Sequence, residues 1–265
     1  LVLSGGNPNL RPETANIWTA GFDLTPKSLA GLSASATYFD LDYRNKIATG
    51  GFGGDTLLFE QQWAPIITRN PTQEQVDSIC SRPDFLSSEC PPVVDVILDL
   101  RLRNLGGLLV RGIDFDVGYR SSDDRRLGAL AFGITGTYML KYQRSVTVTS
   151  PATDILDTTY NPISIRLRAR AGWTSGSWSA NAFLNYAGSY RNPSDSHRVG
   201  SWITADTSIG YQIARDGWLE GTRFQLSAIN LFDKQPSFVD QSGGYDQSNA
   251  NELGRSISLE ISKIW

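Results

Sequence analysis

The chain has 265 residues, 40% of them hydrophobic and 11% aromatic, with a formal net charge of −3. That length admits one large all-β domain or two small ones, and the charge offers no electrostatic case for binding nucleic acid. No run of about 18 apolar residues occurs, so a helical membrane span is excluded by length. Tyrosine (10), phenylalanine (11), tryptophan (7) and glycine (25) are plentiful, against one methionine and one histidine, a balance that suits strands and tight turns. Leu1 opens a polar, glycine-bearing segment with no charged n-region and no apolar h-region. No signal peptide is visible, which leaves a cytosolic protein or a fragment of something longer.

After the turn chemistry of Leu1 to Pro12, Trp18, Ala20, Phe22 and Leu24 alternate with Thr19, Gly21 and Asp23, predicting a strand over about 13–25. A second follows over roughly 32–46. Alternation then fails for about sixty residues, a long gap for a connection. Inside that gap Thr72 with Gln75, preceded by Pro71, makes a capping box for a short helix through about Cys80, and Val93 to Arg103 reads as a hairpin arm or loop strand. Regular strands resume at about 109, then at 127–144. Ile165, Leu167, Ala169, Ala171 and Trp173 next oppose Arg166, Arg168, Arg170 and Gly172, so three arginines share one face of one strand. Return strands run through Trp178 to Tyr186 and Ile203 to Ile213.

The last stretch, Thr222 to Trp265, holds two alternating segments around a Gly/Asn/Asp/Ser-rich one. In its final run Ile257, Leu259 and Ile261 fall on one face, and Ser256, Ser258, Glu260 and Ser262 on the other. The total is about nine strands joined alternately by short connections (26–31, 121–125, 174–176, 214–221) and long ones (47–107, 146–162, 191–199, 233–253). An up-and-down transmembrane barrel sorts its loops this way, short periplasmic turns opposite long extracellular loops. Trp18, Trp173, Trp178, Tyr119, Tyr186 and Tyr211 near strand ends suit an interfacial girdle.

Three segments resemble one known family. GNPNLRPETAN (Gly6 to Asn16) is similar to a stretch that recurs in the barrel of TonB-dependent outer-membrane receptors just before a descending strand. NLFDKQPSFVD (Asn230 to Asp240) and LGRSISLEISKIW (Leu253 to Trp265) resemble that family's last hairpin and terminal strand. The resemblance implies an N-terminal plug domain, a TonB box and a barrel of about 22 strands. The chain lacks the first half of that pattern. Residues 1–265 are therefore expected to be the C-terminal portion of a receptor barrel: all-β, antiparallel, up-and-down, a partial barrel of about nine strands that does not close. Lys263 stands where many outer-membrane proteins carry an apolar residue two before the terminal aromatic, while Trp265 itself fits a barrel-assembly signal.

Cys80 and Cys90, the only cysteines, lie ten apart in the longest loop. Their even number and position favour a disulfide on an oxidising outer face over free thiols or a metal pair, and no local four-ligand zinc set can be assembled around the lone His197. Arg166, Arg168 and Arg170 face the wet side, with Asp114, Asp116 and Asp206 expected on neighbouring strands. A charge ladder filling the lumen or holding the plug is the first reading, capture of an anionic ligand the second. Trp63 and Tyr245 are loop aromatics able to stack on a ligand, a role that hairpin packing would explain equally well. His197 among serines and Asp195 does not make a triad by sequence proximity, and no G-x-S-x-G, H-E-x-x-H or P-loop pattern occurs. No catalytic site, cofactor or metal is expected.

The resemblance implies energy-coupled uptake of a scarce large solute across the bacterial outer membrane. A ferric siderophore leads, with an oligosaccharide or cobalamin as runner-up; the partners are lipid, plug and TonB. An outer-membrane enzyme and a soluble carbohydrate-binding β-domain are the rivals from other classes.

Overall fold

Nine long strands form one sheet in the computed structural model, which describes residues 1–48, 61–86, 89–104, 106–124, 126–145, 150–214 and 217–263. In chain order they are β1 (Thr14–Leu24), β2 (Leu32–Arg44), β3 (Gly107–Arg120), β4 (Ala129–Ser145), β5 (Ile165–Ser175), β6 (Trp178–Ala187), β7 (Trp202–Gln212), β8 (Thr222–Ile229) and β9 (Ser256–Lys263). Each lies beside its sequence neighbour, and the short strand Thr153–Asp154 adds to β4. The spatial order runs without a crossover from β9 to β1, and these two are the ends of the sheet. The sheet is not closed on itself, as a partial barrel requires.

Register explains the two faces. Arg168 pairs with Asn185 and Asn185 with Thr204, while one residue along Ala169 pairs with Leu184 and Leu184 with Ala205. A polar row and an apolar row therefore alternate across three strands, because side chains one residue apart point to opposite faces. Farther along, Ile209, Leu226 and Leu259 form another apolar row and stay 52%, 53% and 66% exposed. Apolar rows left open across several strands suit a lipid-facing wall and not the interior of a sandwich. No helix among the described residues is long and apolar enough to cross a membrane.

Backbone contacts divide the chain into two compact units. The larger comprises 18–40, 110–142 and 155–265. Its core lies among its loops: Ile163, Ala187, Tyr190, Val199 and Val239 pack together with Trp202 against them. Its short connections include the two-residue turn at Gly176, where φ is +53°, and the turn ending at Gly128, φ +76°.

The smaller unit comprises 1–17, 41–109 and 143–154. Val96–Asp99 pairs in parallel with Val2–Leu3 on one side and antiparallel with Ile67–Arg69 on the other, and Ile47–Ala48 pairs with Arg103–Asn104. The expected helix is α1 (Gln73–Cys80). Thr72 accepts from the backbone of Gln75, whose side chain in turn accepts from the Thr72 N–H, satisfying two amide groups a helix start leaves open. α1 buries Val76 and Ile79, with Ile66 and Ile97 also buried in this unit.

Candidate functional site

The polar face of the larger unit carries a groove of about 850 Å³, bordered by β2 to β7, by the chain from the end of β8 and by the start of β9. Of the six charged residues named from sequence, the groove brings together five: Asp114, Asp116, Arg166, Arg168 and Asp206. Arg170 is not on its border. Its guanidinium lies over Gly133, where an added Cβ would come 2.5 Å from Nε.

The expected ladder between neighbouring strands is corrected by the sheet order. β4 separates Asp114 and Asp116 from the arginines, and β6 separates Asp206 from them. Direct pairing is thereby reduced to one long contact, Arg168 Nη2 to Asp206 Oδ2 at 3.7 Å, with the Arg168 guanidinium 4.3 Å from the centre of the Phe183 ring. The intervening strand supplies the closer partner: Asn185 Nδ2 donates to Asp206 Oδ2 at 2.8 Å and to Thr204 Oγ1 at 3.1 Å. The backbone N–H of Asn230 donates to Asp206 Oδ1 at 2.9 Å, tying the end of β8 to β7. On the other side Thr137 donates its hydroxyl to Asp114 at 2.6 Å. Arg166 donates from Nη2 to a neutral partner, Asn249 Oδ1, at 2.8 Å.

Asn249 belongs to a buried polar knot that sequence reasoning missed. Asp246 is 1% exposed, Asn192 1% and Asn249 4%. The Asp246 carboxylate accepts from the backbone N–H groups of Tyr160 and Ser248 and from Asn249 Nδ2. The Tyr190 hydroxyl also donates to it; burial first, then the Asp246 charge, push the Tyr190 pKa well above the usual tyrosine value. Asn192 Oδ1 accepts from Thr159 and from Gln241 Nε2, so the connections 155–164, 188–201 and 230–255 meet at two nodes. The only signal available in the sequence was the Asn/Asp/Ser density of the last connection, which reads equally well as solvated turn chemistry.

The loop residues named from sequence fare differently. Cys80 and Cys90 are joined by a disulfide with Cα atoms 5.6 Å apart. Tyr245 is half-buried and its hydroxyl is engaged with Glu252; partial burial, then the Glu252 charge, raise its pKa. The side chain of Trp63 and the whole of Trp265 lie outside the described residues. Asp195 accepts from the backbone N–H of the exposed His197 at 2.8 Å, a local loop contact made by the main chain.

Comparison with known proteins fits this geometry. The family model described as TonB dependent receptor-like, beta-barrel matches residues 1–231. No curated protein matches the chain by sequence. Among solved structures, a mutant ferric enterobactin receptor from Pseudomonas aeruginosa shares 17% identity at TM-score 0.58, covering 96% of this chain and 31% of that one. The siderophore receptor PirA from Acinetobacter baumannii gives 17% and 0.58, with 97% and 32% covered. The copper transporter OprC gives 12% and 0.56, with 97% and 33%. The chain thus spans about a third of the length of these structures. Its unclosed meander of two-faced strands and the match over most of its length place it in one family: the chain belongs to the TonB-dependent receptor-like β-barrels.

Proposed function

We propose that residues 1–265 form the C-terminal portion of a bacterial outer-membrane receptor that takes up a scarce, large solute, and that the solute is a ferric siderophore. One observation carries the reading: a polar, charged groove lines one face of an antiparallel meander whose other face exposes apolar rows. Such a wall separates lipid from a hydrated lumen. The names of the neighbouring receptors, for ferric enterobactin and for siderophores, favour this cargo over an oligosaccharide or cobalamin.

In this reading a plug domain and TonB are the partners of the intact receptor. Arg166, Arg168, Arg170, Asp114, Asp116 and Asp206 face the plug or the passing solute. The Cys80–Cys90 bridge restrains an outer loop that also carries Trp63, Tyr245 contributes to the outer surface of the last loop, and Trp265 serves barrel assembly. The chain supplies wall and loops and no chemistry of its own.

The test is growth under iron starvation on a panel of ferric siderophores, with and without the full gene, in strains with and without TonB. Growth that depends on both genes for one siderophore is expected. Equal growth without the gene on every siderophore overturns the cargo assignment.

A further inference from the structure

The groove end near the loops holds one donor without an acceptor and one bound to a neutral amide. Arg166 pairs in register with Ala187, and Ala187 with Trp202, so Arg166 and Trp202 stand on one face, two strands apart, both on the groove border. Trp202 Nε1 is buried and has no hydrogen-bond partner. Buried indole N–H groups are normally paired, so this row lacks an acceptor. Arg166 meanwhile spends a hydrogen bond on a neutral amide, Asn249 Oδ1, where a carboxylate or phosphate would bind it more strongly.

Asn249 has no freedom in this exchange. Its Nδ2 donates to Asp246 Oδ2 at 2.8 Å and to the Asn161 carbonyl at 3.0 Å, so its carbonyl oxygen is the end left for Arg166. Asp246, buried, is balanced by donors from three connections and by no ion pair among the described residues. One of those donors is the N–H of Tyr160, held at φ +61°, a left-handed conformation that a bulky residue keeps only when its surroundings enforce it. The knot is therefore a closed arrangement with backbone strain inside it.

We propose that the Arg166 and Trp202 end of the groove is an anion subsite held shut by a latch, in which Asp246 and Asn249 are positioning residues that keep Arg166 tied to the last loop. An anionic group entering the groove takes Arg166 from Asn249, and Trp202 Nε1, buried while the latch is shut, reaches an acceptor only as the latch opens. Asn249 then loses its hold on the wall, and the chain around Tyr160 and Asp246 loosens. Coupling of this kind is reciprocal: whatever opens the latch tightens anion binding. The subsite deepens the uptake reading, resting on it only for the claim that the anion is cargo.

The experiment uses the full-length receptor in lipid vesicles with inorganic phosphate as probe. Hydrogen exchange at the Tyr160 and Ser248 amides, both bonded to Asp246, is followed with and without saturating phosphate. Wild type should exchange roughly tenfold faster with phosphate, and Asp246→Ala at least as fast without it. Arg166→Gln should abolish the phosphate response, and Asn249→Ala should bind phosphate about tenfold more tightly, within the usual range of such couplings. Asp246→Asn, which keeps an acceptor, should restore part of the protection lost in Asp246→Ala. Weaker phosphate binding in Asn249→Ala, or exchange that phosphate leaves unchanged in wild type, overturns the latch. These outcomes are independent of the growth assay, so a siderophore assignment that fails leaves the latch standing, and the reverse.

Discussion

Asn230 donates its backbone N–H to Asp206 at 2.9 Å, so the acid on the groove wall also anchors the chain where it leaves the sheet. Asp206 has a side chain only 15% exposed, against 49% for Arg168. The ion pair between them is long and half-solvated, worth about 0–1 kcal/mol. Replacing Asp206 by alanine removes the acceptor from both Asn230 and Asn185, and each partly buried donor left open costs roughly 1–3 kcal/mol. Asp206→Ala should therefore destabilise the protein clearly more than Arg168→Ala in urea unfolding from lipid vesicles. Equal losses would mean that the ion pair, and not the anchor, is what matters.

Two glycines at strand turns separate backbone strain from crowding. Gly176 has φ +53° and open space where a Cβ would sit, whereas Gly128 has φ +76° and faces the carbonyl oxygen of Thr174. Alanine at either position takes on a left-handed conformation, about 1–2 kcal/mol. At 128 the backbone must also move, adding roughly 1–3 kcal/mol. Gly128→Ala should shift the unfolding midpoint well beyond Gly176→Ala; matched shifts would contradict the close approach.

Opening the disulfide should act locally. The bridge closes a ring of ten-residue separation directly after α1, and rings of that size contribute about 2–4 kcal/mol by restricting the unfolded chain. Cys80→Ser together with Cys90→Ser should speed hydrogen exchange in α1 while leaving β5 to β8 unchanged. Faster exchange throughout the sheet would show that the loop supports the wall.

The loop knot should weaken in alkali. Tyr190 is buried beside Asp246, which raises its pKa in the folded state; unfolded, it titrates near the ordinary value of about 10. A raised folded pKa contributes stability that is complete below the unfolded value and is lost as pH rises through the folded one. Thermal melting should therefore fall above about pH 10, and Tyr190→Phe, already less stable at pH 8, should fall less. Parallel pH profiles would exclude Tyr190 as the responding group.

The strands were legible in the sequence wherever alternation was unbroken. β5 shows why: Ile165, Leu167 and Ala169 against Arg166, Arg168 and Arg170 is a local pattern, and a residue's face in a strand is set by its parity alone. The capping box at Thr72 and Gln75 was equally readable, since a helix start is closed by residues three apart. Within 47–107 the strand in Val93 to Arg103 was readable as Val96–Asp99, but its partners were not: it pairs with Val2–Leu3 and Ile67–Arg69, and pairings of short strands across such separations leave no periodic trace.

The sequence by itself determined the class of structure and the sorting of residues into a wet face and an apolar face, since both follow from a period of two repeated nine times. Only the tertiary structure decided which charges meet. Placing β6 between Arg168 and Asp206 turned an expected ladder into an Asn185-bridged anchor, and the connections between strands brought Asp246, Asn249 and Arg166 into one chain of hydrogen bonds. The physical reason is that a side chain's face depends on its immediate neighbours, whereas its partner depends on strand order and loop path, which residues far apart in sequence set together.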